Sequence, residues 1–153
     1  MTEDLTIEKS TEADLPALQT LLVELMAHVD GDSPDPLAVE RIDARCRAIL
    51  VDPDAHVLIA RHDETVVGFI NFTTRRTLYH DAPSALIDEL IVAEPYRGQG
   101  IGKRLIAATL DQCRQLGCSE VEVSTPKSNH EARAFYRRCG FEEDAVLLEI
   151  HLD

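Results

Sequence analysis

The stretch Tyr96-Arg-Gly-Gln-Gly-Ile-Gly-Lys-Arg104 places three glycines within five residues, with two cationic residues directly after them. Glycine lets backbone N–H groups turn inward and approach an anion without interference from a Cβ. A helix starting at the same point aims the positive end of its dipole there. The chemistry is anion binding, and a pyrophosphate is the natural occupant. Two familiar phosphate loops do not fit. A Walker loop, G-x-x-x-x-G-K-[ST], could end on Gly102-Lys103, but Arg97 replaces its first glycine and Arg104 its magnesium-binding hydroxyl. The dinucleotide pattern G-x-G-x-x-G matches Gly98 and Gly100, then meets Lys103, and the loop lies far from an N-terminal βαβ unit. What remains is R-x-x-G-x-G, carried by Arg97, Gly100 and Gly102.

The elements around this loop can be read from periodicity. Residues 5–9 predict a short strand. Thr11 to Asp14 supply capping chemistry for a helix with Leu18, Leu21, Leu22, Leu25, Met26 and Val29 at helical spacing, and Pro16 fits only near its start. Residues 28–36 read as a loop from their Gly, Pro and Asp content. Asp35 and Pro36 then open a second helix with a stripe at Val39, Ile42, Cys46, Ile49 and Leu50. Residues 56–63 and 65–74 predict a hairpin turning at Asp63-Glu64, and 85–92 a third long strand. After the glycine loop comes a helix carrying Ile101, Leu105, Ile106, Leu110, Cys113 and Leu116, ended by Gly117. Residues 119–125 alternate as a strand, 129–140 form a short helix with Gly140 at its C′ position, and 145–152 predict a final strand. The order β-α-α-β-β-β-α-β-α-β describes an α/β (α+β) chain whose mixed sheet carries helices on its faces.

Composition narrows the function. At 153 residues with 44% apolar content, one domain spanning 1–153 is expected. No apolar run reaches the ~20 residues needed to cross a bilayer, so no membrane association is expected. The acidic N-terminus lacks a hydrophobic signal region, which points to a cytoplasmic location. The net charge of −13, from 15 basic and 28 acidic residues, argues against a nucleic-acid partner and would concentrate a cationic substrate. Cys46, Cys113, Cys118 and Cys139 show no CxxC spacing and no flanking His cluster, so neither a metal site nor a disulfide framework is expected.

Two segments resemble the GNAT superfamily of acetyl-CoA-dependent N-acetyltransferases. Residues 87–102, "IDELIVAEPYRGQGIG", resemble the family's central acetyl-CoA motif. Residues 129–141, "NHEARAFYRRCGF", resemble its second signature, with Asn129, Ala132, Phe135, Tyr136, Gly140 and Phe141 in register. The resemblance implies a mostly antiparallel sheet splayed at the cofactor site and helices on both faces. It implies that backbone groups of Leu90, Ile91 and Val92 pair with the pantetheine arm as an added strand. Backbone amides of Arg97, Gly98, Gln99, Gly100, Ile101, Gly102 and Lys103 would hold the pyrophosphate. The Arg97 side chain could instead brace the loop, and Lys103 or Arg104 could reach phosphate. Asn129 would contact pantetheine or position the strand edge, and Tyr136 would sit beside the thioester sulfur.

Direct transfer from acetyl-CoA, the implied co-substrate, to an amine sets three tasks: deprotonate an ammonium, stabilise an oxyanion, and protonate the leaving sulfur. The Val92 N–H, or a close neighbour, is the candidate oxyanion donor. Tyr136, neutral at working pH, is the candidate acid. Glu89 is the favoured base, with Asp88 the alternative; strand alternation predicts that the two point to opposite faces. Asp30, Asp32 and Asp35 suggest a small cationic acceptor. Acetylation of a protein N-terminus or lysine, and a CoA-binding module without turnover, are the competing readings. Relatives of this kind often pair through C-terminal strands, so a homodimer is the expectation by resemblance.

Overall fold

The computed structural model describes residues 4–31 and 36–153. They fall into two compact units, Met1–Glu122 and Val123–Asp153. The first contains β1 (Leu5–Lys9), α1 (Leu15–Asp30), α2 (Pro36–Val51), β2 (Ala55–His62), β3 (Thr65–Arg75), β4 (Ser84–Val92) and α3 (Ile101–Gln115). β5 (Glu120–Val123) reaches the boundary between the units, and α4 (His130–Arg138) lies in the second. The sheet order is β1-β2-β3-β4-β5. The first three pairings are antiparallel. The Ser119 N–H donates to the Pro83 carbonyl at 3.0 Å, joining the starts of β4 and β5. Those two strands therefore run parallel, with the glycine loop and α3 as the crossover between them. The expected mixed α/β sheet is observed.

Alternation decides which helices cover which face. Phe69 on β3 and Ile91 on β4 pack with Val57 and Ile59 of β2 against Leu18 and Leu21 of α1, and Cys46, Ile49 and Leu50 of α2 join the same cluster. Gly68, adjacent to Phe69, faces the other way, and its Cβ position would lie 3.5 Å from Leu105 Cδ1 of α3. So α1 and α2 cover one face and α3 the other. Ile59, Ile70, Phe72 and Leu105 are fully buried, each contributing roughly 1.5–3 kcal/mol by leaving water.

Thr11 and Asp14 form a capping box on a single 3-10 turn, Glu12–Asp14, that leads directly into α1. The Thr11 N–H donates to Asp14 Oδ2 at 2.8 Å, and the Arg61 guanidinium reaches Asp14 Oδ1 at 2.9 Å. Burial of Asp14 opposes ionisation, but these bonds win and hold its carboxyl below its ordinary value. Pro16 occupies the first turn. Gly31, at φ 83°, ends the helix, so α1 extends into the first part of the stretch read as a loop. Asp32 and Asp35 lie outside the described residues, as does the side chain of Asp30.

Two expectations need correction. The strand predicted over 145–152 does not form. Its apolar alternation is real, with Val146, Leu148, Ile150 and Leu152 at 77, 88, 87 and 92% exposure, but alternation supplies a face and no hydrogen-bonding edge to join. The second correction concerns Asp88 and Glu89. The β3–β4 register pairs Asn71 with Glu89 and Phe72 with Ile87, leaving Asp88 as an extra residue in β4. This β-bulge breaks alternation. Asp88 accepts a hydrogen bond from the Thr73 hydroxyl at 3.0 Å, and Glu89 accepts one from the Asn71 amide at 2.7 Å. Asn71 and Thr73 are two apart on β3, so both carboxylates occupy the same face, the one covered by α1 and α2.

Candidate functional site

The loop after β4 is built for its glycines. Gly98 and Gly100 have φ of 77° and 81°, a region costly for residues with a Cβ. A Cβ at either position would meet no atom within 4 Å, so the backbone conformation, rather than crowding, requires glycine. Gly100 is the N-cap of α3, Ile101 is its first and buried residue, and Gly102 follows. Gln99 is half-buried, and Arg97 and Lys103 are exposed.

The cations divide their tasks. Arg97 Nε donates to the Val92 carbonyl at 2.8 Å, and its Nη2 meets Glu24 of α1 at 3.2 Å. The same Glu24 carboxylate accepts from the Glu94 N–H at 2.9 Å. Arg97 thus braces the loop. Arg104 donates to the Leu5 carbonyl of β1 at 3.1 Å, which leaves Lys103 as the cation facing outward beside the glycines. Glu24 was missed in the sequence because one acidic residue on the polar side of a helix carries no signal.

Backbone direction along β4 separates its last residues. The Ala93 N–H donates to the Val67 carbonyl of β3 at 2.8 Å. Alternation therefore turns the Ile91 backbone groups toward β3 as well, and those of Leu90 and Val92 toward the opposite edge. An added strand could bond Leu90 and Val92 there, whereas Ile91 is committed to β3. Gly68 permits this arrangement, because a Cβ on it would lie 2.8 Å from the Ile91 carbonyl oxygen and 3.4 Å from Val92 Cα. Gly68→Ala must displace the end of β4. It is expected to cost about 1–3 kcal/mol of stability and to weaken acetyl-CoA binding, measured by thermal unfolding and calorimetric titration; unchanged affinity would show that the β4 terminus does not set the cofactor edge.

Glu89 is half-buried and Asp88 more open. Burial pushes the Glu89 carboxyl above the usual carboxylate value; the Asn71 hydrogen bond opposes this, the Asp88 charge adds to it, and Arg45 of α2 moderates it. Burial also raises Asp88, against the Thr73 bond. A carboxyl with a raised pKa is suited to accept a proton near neutral pH. Asn71, 7% exposed, is the polar side chain within the otherwise apolar stretch Val67–Phe72 of β3, a clue that a polar partner faces it.

In the second unit, the Asn129 side chain caps α4, its oxygen accepting from the Ala132 N–H at 3.1 Å. Its amide N–H groups remain for another ligand. Tyr136 packs edge-on against Phe135 and Phe141, with ring centroids 5.2 and 5.7 Å away. Burial, with a smaller effect from Cys139, raises its phenol above the ordinary value. A cavity of about 400 Å³, lined by residues including His56, Arg75, Arg76 and Pro83, lies toward the start of β4 and touches none of the residues above. Among the described residues no cluster of three His, Cys, Asp or Glu could hold a metal ion, and no helix is long and apolar enough to cross a membrane.

Comparison with known proteins adds to this geometry. The pattern of the acetyltransferase (GNAT) family matches residues 16–141. The chain is 36% identical over 96 residues to the aminoalkylphosphonate N-acetyltransferase of Salmonella typhimurium, a match spanning 63% of this chain and 62% of that relative's length. It is 33% identical over 142 residues to the N-alpha-acetyltransferase RimI of Mycobacterium tuberculosis, covering 92% of this chain and 80% of the other. Among solved structures, an aminoglycoside acetyltransferase from an uncultured soil metagenomic sample, in complex with trehalose, aligns with a TM-score of 0.80 at 28% identity and covers 100% of both chains.

Proposed function

We propose an acceptor and a division of labour for a chain that belongs to the acetyltransferase (GNAT) family and is therefore an acyltransferase. The general reaction is N-acetylation of an amine by acetyl-CoA. The acceptor we assign is a small cationic amine, and the observation that carries this reading is the bulge that gathers Asp88 and Glu89 on one face. Two carboxylates side by side favour an ammonium near them, and the raised pKa of Glu89 suits it to take the ammonium proton. The free amine then attacks the thioester carbonyl.

The remaining roles follow motif position and the local geometry of each unit. Backbone amides from Gly98 to Lys103, with the Lys103 ammonium, hold the pyrophosphate; Arg97 keeps the loop in place. The Leu90 backbone groups receive the pantetheine arm and the Val92 N–H is directed at the developing oxyanion, while the Val92 carbonyl stays with Arg97. Tyr136 gives its proton to the departing thiolate, and Asn129 contributes its amide N–H groups to the cofactor. We read residues 1–153 as a single N-acetyltransferase domain.

The relatives favour different acceptors in their names. The extensive match to an N-alpha-acetyltransferase supports a second reading, acetylation of a protein N-terminus. A thiol-release assay with acetyl-CoA separates the two, run across polyamines, aminoglycosides, an aminoalkylphosphonate and peptides with free N-termini. Turnover on the small cationic amines is the expected result. Activity confined to peptides would overturn the small-amine assignment.

A further inference from the structure

We propose that Asn71 is the positioning residue of the Glu89 carboxylate, holding it apart from Asp88 and fixing which of the two neighbours accepts the proton. The inference rests on the reading of Glu89 as base and extends it to a β3 residue outside the motifs of the sequence.

The geometry sets the two carboxylates in separate grips. The bulge at Asp88 brings both to one face. Asn71 Nδ2 then donates to Glu89 Oε2 at 2.7 Å, while the Thr73 hydroxyl takes Asp88 Oδ2 at 3.0 Å. Each β3 donor serves one acid, so the pair is held as two distinct groups rather than one shared proton site. The groups facing Glu89 are Asp88 on its own strand, Arg45 and Cys46 on α2, and Asn71 on β3. Of these, Asn71 is the neutral donor with a direct bond. A donor to the ionised form favours ionisation, countering burial and the Asp88 charge.

Packing alone does not account for an asparagine here. Position 71 follows Phe69 on the face covered by α1 and α2, and it is 7% exposed. The Asn71 amide oxygen is buried and finds no protein partner among the described residues. A buried acceptor left without a partner is unfavourable for folding. An apolar or β-branched residue would serve the strand better. What the asparagine supplies is the N–H on Glu89.

The test combines kinetics with direct titration. In Asn71→Leu the donor is lost and the ionised form is less favoured, so the Glu89 pKa rises. The acid limb of kcat/KM is expected to move up by about one pH unit, making the variant about tenfold slower on the acid side and near wild type on the plateau. Asn71→Thr, which keeps a hydroxyl donor in a strand-compatible residue, should recover much of the shift and serves also if the leucine variant folds poorly. Carbon-13 NMR of the Glu89 carboxyl, assigned with Glu89→Gln, reads the same pKa without turnover. An unmoved Glu89 titration in a folded Asn71→Leu variant overturns the proposal. A moved titration with an acid limb that persists in Glu89→Gln overturns the base assignment and leaves the hold of Asn71 on Glu89 standing.

Discussion

Glu89→Gln is expected to lower kcat/KM by roughly 10²–10⁴-fold while leaving acetyl-CoA binding within a factor of a few. Glutamine keeps the length of the side chain, and its carbonyl can still accept from the Asn71 amide, so the geometry of β3 and β4 is retained. What disappears is a group that can take a proton. The acid limb of the wild-type profile should sit above the ordinary glutamate range, because burial and then the Asp88 charge raise the Glu89 pKa, and it should vanish in the variant. Stability moves the opposite way. A carboxyl whose folded pKa lies above its unfolded value contributes stability below the unfolded pKa and loses it as pH rises through the folded pKa. At neutral pH the ionised Glu89 therefore works against folding, and Glu89→Gln should unfold at a temperature no lower than wild type. Stability measured against pH checks the sign: the fall above the glutamate range should be smaller in the variant. Asp88→Asn is the discriminating control. If it silences the enzyme while Glu89→Gln turns over normally, the base is Asp88.

The single face shared by the two acids also marks the limit of sequence reading in this chain. Strand β4 was legible from its apolar character, and Asp88 and Glu89 from their place before the glycine loop. Alternation assigned them to opposite faces, because a period of two assumes an unbroken ladder. The register shift between Asn71 and Phe72 has no strong local signature in "NFTTR" or "LIDEL". It is a property of how two strands pair, and it places two carboxylates on one face where alternation would place one. The loop was different. Its glycines announce a backbone conformation, and Gly98 and Gly100 adopt the positive φ that their identity suggests. Arg97 could be narrowed to a brace or a phosphate ligand; the choice depended on Glu24, which lies 73 positions away, and no local pattern records such a partner.

The C-terminal segment shows the converse failure. Residues 145–152 place Val146, Leu148, Ile150 and Leu152 at every second position, yet they form no ladder. A helix satisfies its own backbone, so periodicity nearly suffices to establish α1, α2 and α3, although Val29, Val39 and Leu116, at the ends of their predicted stripes, are exposed. A strand depends on another edge, and the sequence of one segment says nothing about whether that edge is presented.

Tyr136→Phe is the variant that separates binding from chemistry. Phenylalanine preserves the ring that packs edge-on between Phe135 and Phe141, so α4 and acetyl-CoA affinity should be unaffected. The hydroxyl alone is removed, and with it the proton proposed for the leaving thiolate. Turnover is expected to fall by roughly 10²–10⁴-fold, with kcat and kcat/KM dropping together, since the interaction belongs to the transition state and not to substrate binding. Burial keeps the phenol protonated above its ordinary pKa, so the alkaline limb attributable to Tyr136 should begin only at strongly basic pH and be absent in the variant. The leaving group offers an independent check. A thioester whose thiol is more acidic than that of CoA needs less help from an acid, so the deficit of Tyr136→Phe should shrink on such a donor analogue. A deficit of equal size on both donors would place the hydroxyl in orientation of the substrate instead of protonation of sulfur, and undiminished turnover on acetyl-CoA would remove Tyr136 from the mechanism.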